Sequence, residues 1–324
     1  MDKAKAAWAP FATKYEVHEE SYQLLAKLIE LGNKPYYAVG VDKAREQNIS
    51  TAKELQGTVA FHGTESEMTV PSPYDPEGIP VTVYKPEPCV DNPAIFIFFH
   101  GGGLVVGHRK NIANTMKIIA MESRSIVVNS SYRLLPNKDS PCAPFEDGVA
   151  VTRWVMANKT VVGGTESSKV GVGGESSGGH ITACITNEVT GLDFQVLVYP
   201  LVDTSFSQES FKELALVPIL SEKLLQWFKE HSLAHIPNHA KDPRINPMAR
   251  TNTESSPPAL LLLAELDPLV GTGLDYAEKL RTAGVPVQCE VFRGIPHGFF
   301  TSRTVTKTVS PKAFGHVVNF INKL

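Results

Sequence analysis

The chain has 324 residues, with 31 Lys+Arg against 34 Asp+Glu and a formal charge of -3. That length buries a substantial core and fits either one large α/β domain or two small ones, and one domain plus a cap is expected. With no block of like charge and no basic, aromatic-interleaved stretch, nucleic acid is not an expected partner. The longest apolar runs, 94–99 and 259–264, fall far short of the roughly 18 residues of a membrane helix, so no membrane span is expected.

No apolar segment or small-residue cleavage site follows Met1-Asp2-Lys3-Ala4-Lys5, and a cytoplasmic protein is expected. Cys89, Cys142, Cys184 and Cys289 form no C-x-x-C pair, which predicts free thiols. Residues 17–55 read as helical, with Leu24, Leu25, Leu28, Ile29 and Leu31 making an apolar face that stops at Gly32-Asn33. From about residue 67 short β-rich runs alternate with helical stretches. Strands are expected at 79–84, 94–99, 125–129, 170–173, 194–199, 259–264 and 287–292, and helices at 111–123, 144–157, 177–190, 273–283 and 312–323. Apolar strands separated by helices imply a mostly parallel sheet covered on both faces. Residues 203–241, with Phe206, Phe211, Leu224, Leu225, Trp227 and Phe228, exceed one simple crossover and read as an insertion over a site.

Gly174-Glu175-Ser176-Ser177-Gly178 matches G-x-S-x-G between an apolar strand and a helix, the context of a nucleophile elbow. Alone it is equally a glycine-rich turn. His100-Gly101-Gly102-Gly103 follows the 94–99 strand, where glycines let backbone N–H groups converge on a developing alkoxide; the bland alternative is a flexible strand-end loop. A serine nucleophile needs a base and an orienting carboxylate. Asp267 and His297 follow the strands at 259–264 and 287–292, in the chain order Ser176, Asp267, His297 that this architecture uses. Asp267 before Pro268 also suits a helix cap, Glu265 is a rival acid, and His297 is also readable as a turn residue. His231, His235 and His239 repeat at helical spacing, but Pro237 interrupts them and no H-E-x-x-H is present, which argues against a metal site. His180 reads as a surface or packing histidine.

With these residues, and with Tyr132-Arg133-Leu134-Leu135-Pro136, Pro144-Phe145-Glu146-Asp147, Tyr199-Pro200, Glu265-Leu266-Asp267-Pro268-Leu269 and His297-Gly298-Phe299, the chain resembles the hormone-sensitive-lipase-like carboxylesterases, which include arylacetamide deacetylases. The match spans about residues 19–322. The resemblance implies an α/β-hydrolase fold with an eight-stranded sheet. It implies a cap made of residues 1–55 and about 204–245, with 56–324 as the catalytic domain. It also implies an oxyanion hole from the N–H groups of Gly101, Gly102 and Ser177. The chain departs from the usual G-D-S-A-G-G at Glu175 and Ser177. After Asp267-Pro268-Leu269 it has Val270-Gly271-Thr272 where Arg-Asp-Glu is common. Plant hormone receptors of this family lack the histidine, so His297 argues against a binding-only role.

The expected activity is serine-dependent hydrolysis of small carboxylic esters through an acyl-enzyme, with Ser176, His297 and Asp267 catalytic and no metal or organic cofactor needed. Amides and carbamates are alternative substrates for the same three residues. A homodimer is compatible with the sequence.

Overall fold

The computed structural model describes residues 1–324. Three helices open the chain: α1 (Asp2–Ala12), α2 (Glu19–Glu30) and α3 (Val41–Gln56). The last two fall where helix was expected. α1 lies upstream of that region, and tertiary packing accounts for it: Trp8 is fully buried against Leu25, Leu214, Val217 and Leu266, and its indole N–H donates to the Ser21 carbonyl at 3.2 Å. α2 starts where His18 Nδ1 accepts the Glu20 N–H. α3 ends at Gly57, whose φ of 59° is costly for a residue with a Cβ.

The sheet comprises β1 (Gly63–Val70), β2 (Ile79–Pro86), β3 (Ile95–Phe99), β4 (Ile126–Ser130), β5 (Val170–Glu175), β6 (Phe194–Val198), β7 (Ala259–Leu266) and β8 (Val287–Pro296), in the order β1-β2-β4-β3-β5-β6-β7-β8. The six strands β3 to β8 are parallel, and β2 runs against both of its neighbours. The eight-stranded, mostly parallel sheet is the one expected. β1 has no counterpart among the strands read from sequence. As an edge strand it exposes most of its residues and carries Glu65 and Glu67, so it lacks an apolar run; its ladder with β2, from Gly63↔Pro86 to Val70↔Ile79, makes it a strand.

The connections carry α4 (Ala113–Ser123), α5 (Ala143–Ala157), α6 (Ser177–Glu188), α7 (Ser210–Glu213), α8 (Glu222–His231), α9 (Val270–Thr282) and α10 (Val309–Asn322). β3 shows how two layers cover the sheet. Its side chains alternate in direction: Ile95, Ile97 and Phe99 enter a core with Val151 of α5 and Ile181 and Ile185 of α6. Phe96 and Phe98 enter the opposite core with Met116 of α4 and Phe314 and Val317 of α10. Each fully buried side chain of this size contributes roughly 1.5–3 kcal/mol of transfer free energy. The result is a rigid platform, and the loops leaving the C-terminal ends of β3, β5, β7 and β8 meet above it. No helix is long and apolar enough to cross a membrane.

Candidate active site

Ser176 sits between β5 and α6 with φ 56° and ψ −119°, a backbone conformation that costs an L-residue about 1–3 kcal/mol. Hydrogen bonds over-determine it: the Ser176 N–H donates to the Val198 carbonyl at 2.9 Å, and the Ser176 carbonyl accepts the His180 N–H at 3.0 Å. Close approach of α6 to the end of β3 requires Gly178, since a Cβ there would run into the Phe99 carbonyl. The strain thus lifts one hydroxyl above the sheet.

His297, just beyond β8, meets that hydroxyl. Its Nε2 lies 2.9 Å from Ser176 Oγ, and its Nδ1 lies 2.6 Å from Asp267 Oδ2. Asp267 is fully buried, and its Oδ1 accepts the Leu269 N–H at 2.9 Å. A carboxylate only accepts, so Nδ1 carries the proton and the Nε2 lone pair faces the serine. Burial pulls the His297 pKa down, but the charge and hydrogen bond of Asp267 and the charge of Glu175 outweigh it, leaving the pKa above the ordinary histidine value. The structure therefore brings Ser176, Asp267 and His297 into one hydrogen-bonded chain. Glu265, the rival acid, is committed elsewhere: Oε1 pairs with Arg293 and Oε2 accepts the Gly294 N–H at 2.7 Å.

The glycine loop after β3 requires a correction. The Gly101 N–H, expected to serve an oxyanion, instead donates to Glu175 Oε1 at 2.5 Å. One N–H has one proton, so this donor is spoken for. The N–H groups of Gly102 and Gly103 have no partner within the chain, nor does that of Ser177 in the first turn of α6. All three residues line the same cavity as Ser176. The role of Glu175 was not legible in the motif beyond its departure from the usual aspartate. Ser210 also escaped sequence reasoning. Its Oγ donates to the Pro268 carbonyl at 2.6 Å and accepts the Gly271 N–H at 3.3 Å, tying α7 to the loop that carries Asp267.

Two of the other histidines, His180 and His231, have hydrogen-bond partners in the framework. His180 is fully buried edge-on to Phe145 and donates from Nε2 to the Ile245 carbonyl at 2.5 Å. Burial depresses its pKa to about 4. His231 ends α8 with Nδ1 on the Trp227 carbonyl. His235 belongs to a separate short turn and His239 lies beyond it, and nowhere do three potential metal ligands gather.

Above the serine lies a cavity of about 530 Å³, lined by Leu28 of α2, Ile219, and Leu224 and Phe228 of α8, with Ser176 and His297 also in its wall. Phe228 packs against Gly103 so closely that a Cβ on that glycine would enter its ring. Tyr36, from the turn between α2 and α3, meets Trp227 and Phe228 at centroid distances of 5.7 and 6.1 Å, joining the N-terminal helices to α8 over the glycine loop.

A family model described as alpha/beta hydrolase fold matches residues 96–301, which include every residue of this site that follows the β3 strand. Ethyl acetate hydrolase of Pseudomonas putida is 30% identical over 84% of this chain and 89% of that protein. Carboxylesterase NlhH of Mycobacterium tuberculosis is 34% identical over 81% of this chain and 82% of that one. Among solved structures, an ester-hydrolase from the Lake Arreo metagenome superposes with a TM-score of 0.87 at 26% identity, covering 95% of this chain and 98% of that one. The Pyrobaculum calidifontis esterase gives a TM-score of 0.84, also at 26% identity and over the same shares of the two chains. Sequence and architecture together place the chain in the α/β-hydrolase family, in its hormone-sensitive-lipase-like carboxylesterase branch.

Proposed function

We propose that the protein is a carboxylesterase that hydrolyses small carboxylic esters through an acyl-enzyme on Ser176. The observation that carries this reading is the relay Ser176 Oγ, His297, Asp267 at 2.9 and 2.6 Å, opening into an apolar cavity. As Ser176 attacks the carbonyl carbon, His297 Nε2 takes its proton and Asp267 stabilises the imidazolium. The carbonyl oxygen becomes an alkoxide, to which Gly102, Gly103 and Ser177 offer N–H groups; loss of one such donor costs about 100- to 1,000-fold in turnover. His297 returns the proton to the departing alcohol. Water then repeats the cycle on the acyl-serine, releasing the acid and restoring the hydroxyl.

The similarity to an ethyl acetate hydrolase supports small esters, as does the cavity, whose volume lies within the range of small-molecule sites. In this reading, residues 1–55 and about 204–245 are the two parts of a cap on the catalytic domain, which the packing of Tyr36 on Trp227 and Phe228 supports. A cytoplasmic location is supported by the four free cysteines. The test is a panel of p-nitrophenyl esters of increasing acyl length, with aryl amides alongside, run on the wild type and on Ser176→Ala. Short esters turned over by the wild type and not by the variant are the expected result. A wild type inactive on every ester, or a variant that keeps its activity, overturns the reading.

A further inference from the structure

The glycine loop is a run of trans peptides, each pointing its C=O and N–H in opposite directions, so anchoring one end aims the other. The peptide joining Gly102 to Gly103 is held by its carbonyl, which accepts the N–H groups of Val105 and Val106 at 3.0 and 2.9 Å. The peptide joining Gly101 to Gly102 is held by its carbonyl too, on His100 Nδ1 at 2.8 Å. Burial lowers the His100 pKa to about 4, so its ring is neutral and serves as a fixed donor. The first peptide, His100 to Gly101, is gripped at both ends: its carbonyl accepts the Tyr132 hydroxyl at 2.8 Å, and its N–H donates to Glu175 Oε1 at 2.5 Å. Two N–H groups, those of Gly102 and Gly103, are left over and point away from their anchors.

Glu175 is the last residue of β5 and the neighbour of Ser176, so one residue is bonded covalently to the nucleophile and by hydrogen bond to the loop across from it. It is 8% exposed, and its carboxylate lies against Gly101 where a Cβ would collide with it. We propose that Glu175 is a positioning residue for the oxyanion loop: by accepting the Gly101 N–H it fixes the first peptide and thereby aims the free N–H groups of Gly102 and Gly103 toward Ser176. This role rests on the esterase reading given above. It acts through the backbone, and what it must supply is an acceptor oxygen rather than a charge.

That distinction sets the experiment. E175Q keeps a side-chain oxygen of the same reach and removes the charge. E175M keeps the length and removes both. With a short p-nitrophenyl ester, E175M is expected to lose about 10- to 100-fold in kcat, below the loss of a whole oxyanion donor, with KM within about threefold of wild type. Affinity for a tetrahedral phosphonate or trifluoromethyl ketone inhibitor should fall in parallel, because those ligands carry the oxyanion that the ground-state ester lacks. E175Q is expected to stay within about fivefold of wild type on both measures.

Equal impairment of E175Q and E175M overturns the proposal, as does an E175M whose kcat is unchanged or whose loss lies in KM alone. If E175M does not fold, E175A is read in its place. If neither folds, E175Q decides, and a kcat loss beyond about fivefold counts against the role. A wild type inactive on all esters overturns the esterase reading and this role with it, whereas an active wild type with an unimpaired E175M overturns this role alone.

Discussion

Replacing Asp267 with asparagine should cost activity by reversing a hydrogen-bond direction rather than by removing a contact. Oδ1 of Asp267 accepts the Leu269 N–H at 2.9 Å, so an amide at this position keeps its oxygen there and must turn its NH₂ toward His297. At the 2.6 Å site now held by Oδ2, that NH₂ can only donate, which forces Nδ1 to accept and moves the imidazole proton to Nε2. A protonated Nε2 lying 2.9 Å from Ser176 Oγ can no longer take the serine proton. In the serine protease triad the equivalent change costs about 10⁴-fold in kcat, or ~5.5 kcal/mol of barrier at 1.36 kcal/mol per decade. Steady-state hydrolysis of p-nitrophenyl acetate at several pH values measures it, with a thermal melt to confirm folding. Glu265→Gln is the control and should stay within about threefold of wild type, because Glu265 faces Arg293 and Gly294. A folded Asp267→Asn enzyme losing less than about tenfold would refute the reasoning, and an equal loss in Glu265→Gln would move the acid to the other carboxylate.

Three further outcomes follow from the same geometry. Because His297 must be neutral to act as base and its pKa is raised, kcat/KM should fall as pH drops, with the midpoint of the acid limb above the ordinary value of 6.5. Asp267 and Glu175 are the charged groups facing it, and a midpoint below 6.5 in a pH profile would contradict their dominance over burial. Phe228→Ala removes the ring packed on Gly103 and lengthens the cavity. With ~0.8 kcal/mol per added methylene, accommodating two more should raise the hexanoate-to-butyrate ratio of kcat/KM by about tenfold, read on the same chromogenic esters. Gly178→Ala should fail to give folded, active protein, since its Cβ meets the Phe99 carbonyl rather than a flexible side chain; a soluble variant with a wild-type melting temperature would contradict this.

Much of the chemistry was legible in the chain. The strands from β3 to β7 are apolar because helices cover both faces, so hydrophobic runs locate them, and the residues following β3, β5, β7 and β8 carry the glycine loop, Ser176, Asp267 and His297. The order of those residues selected the architecture. The edge strand β1 was invisible because its partner, not its own pattern, makes it a strand, and α1 was invisible because Trp8 finds its pocket among residues more than 200 positions away as well as nearby. The choice between Asp267 and Glu265 also lay beyond the sequence. Two carboxylates two positions apart are equal candidates in the chain, and only packing supplied Arg293 to one and His297 to the other. The same holds for the oxyanion donors. Sequence marks Gly101, Gly102 and Gly103 alike as open backbone, whereas the fold decides which N–H is consumed, because Glu175 reaches the loop only once β5 lies beside β3.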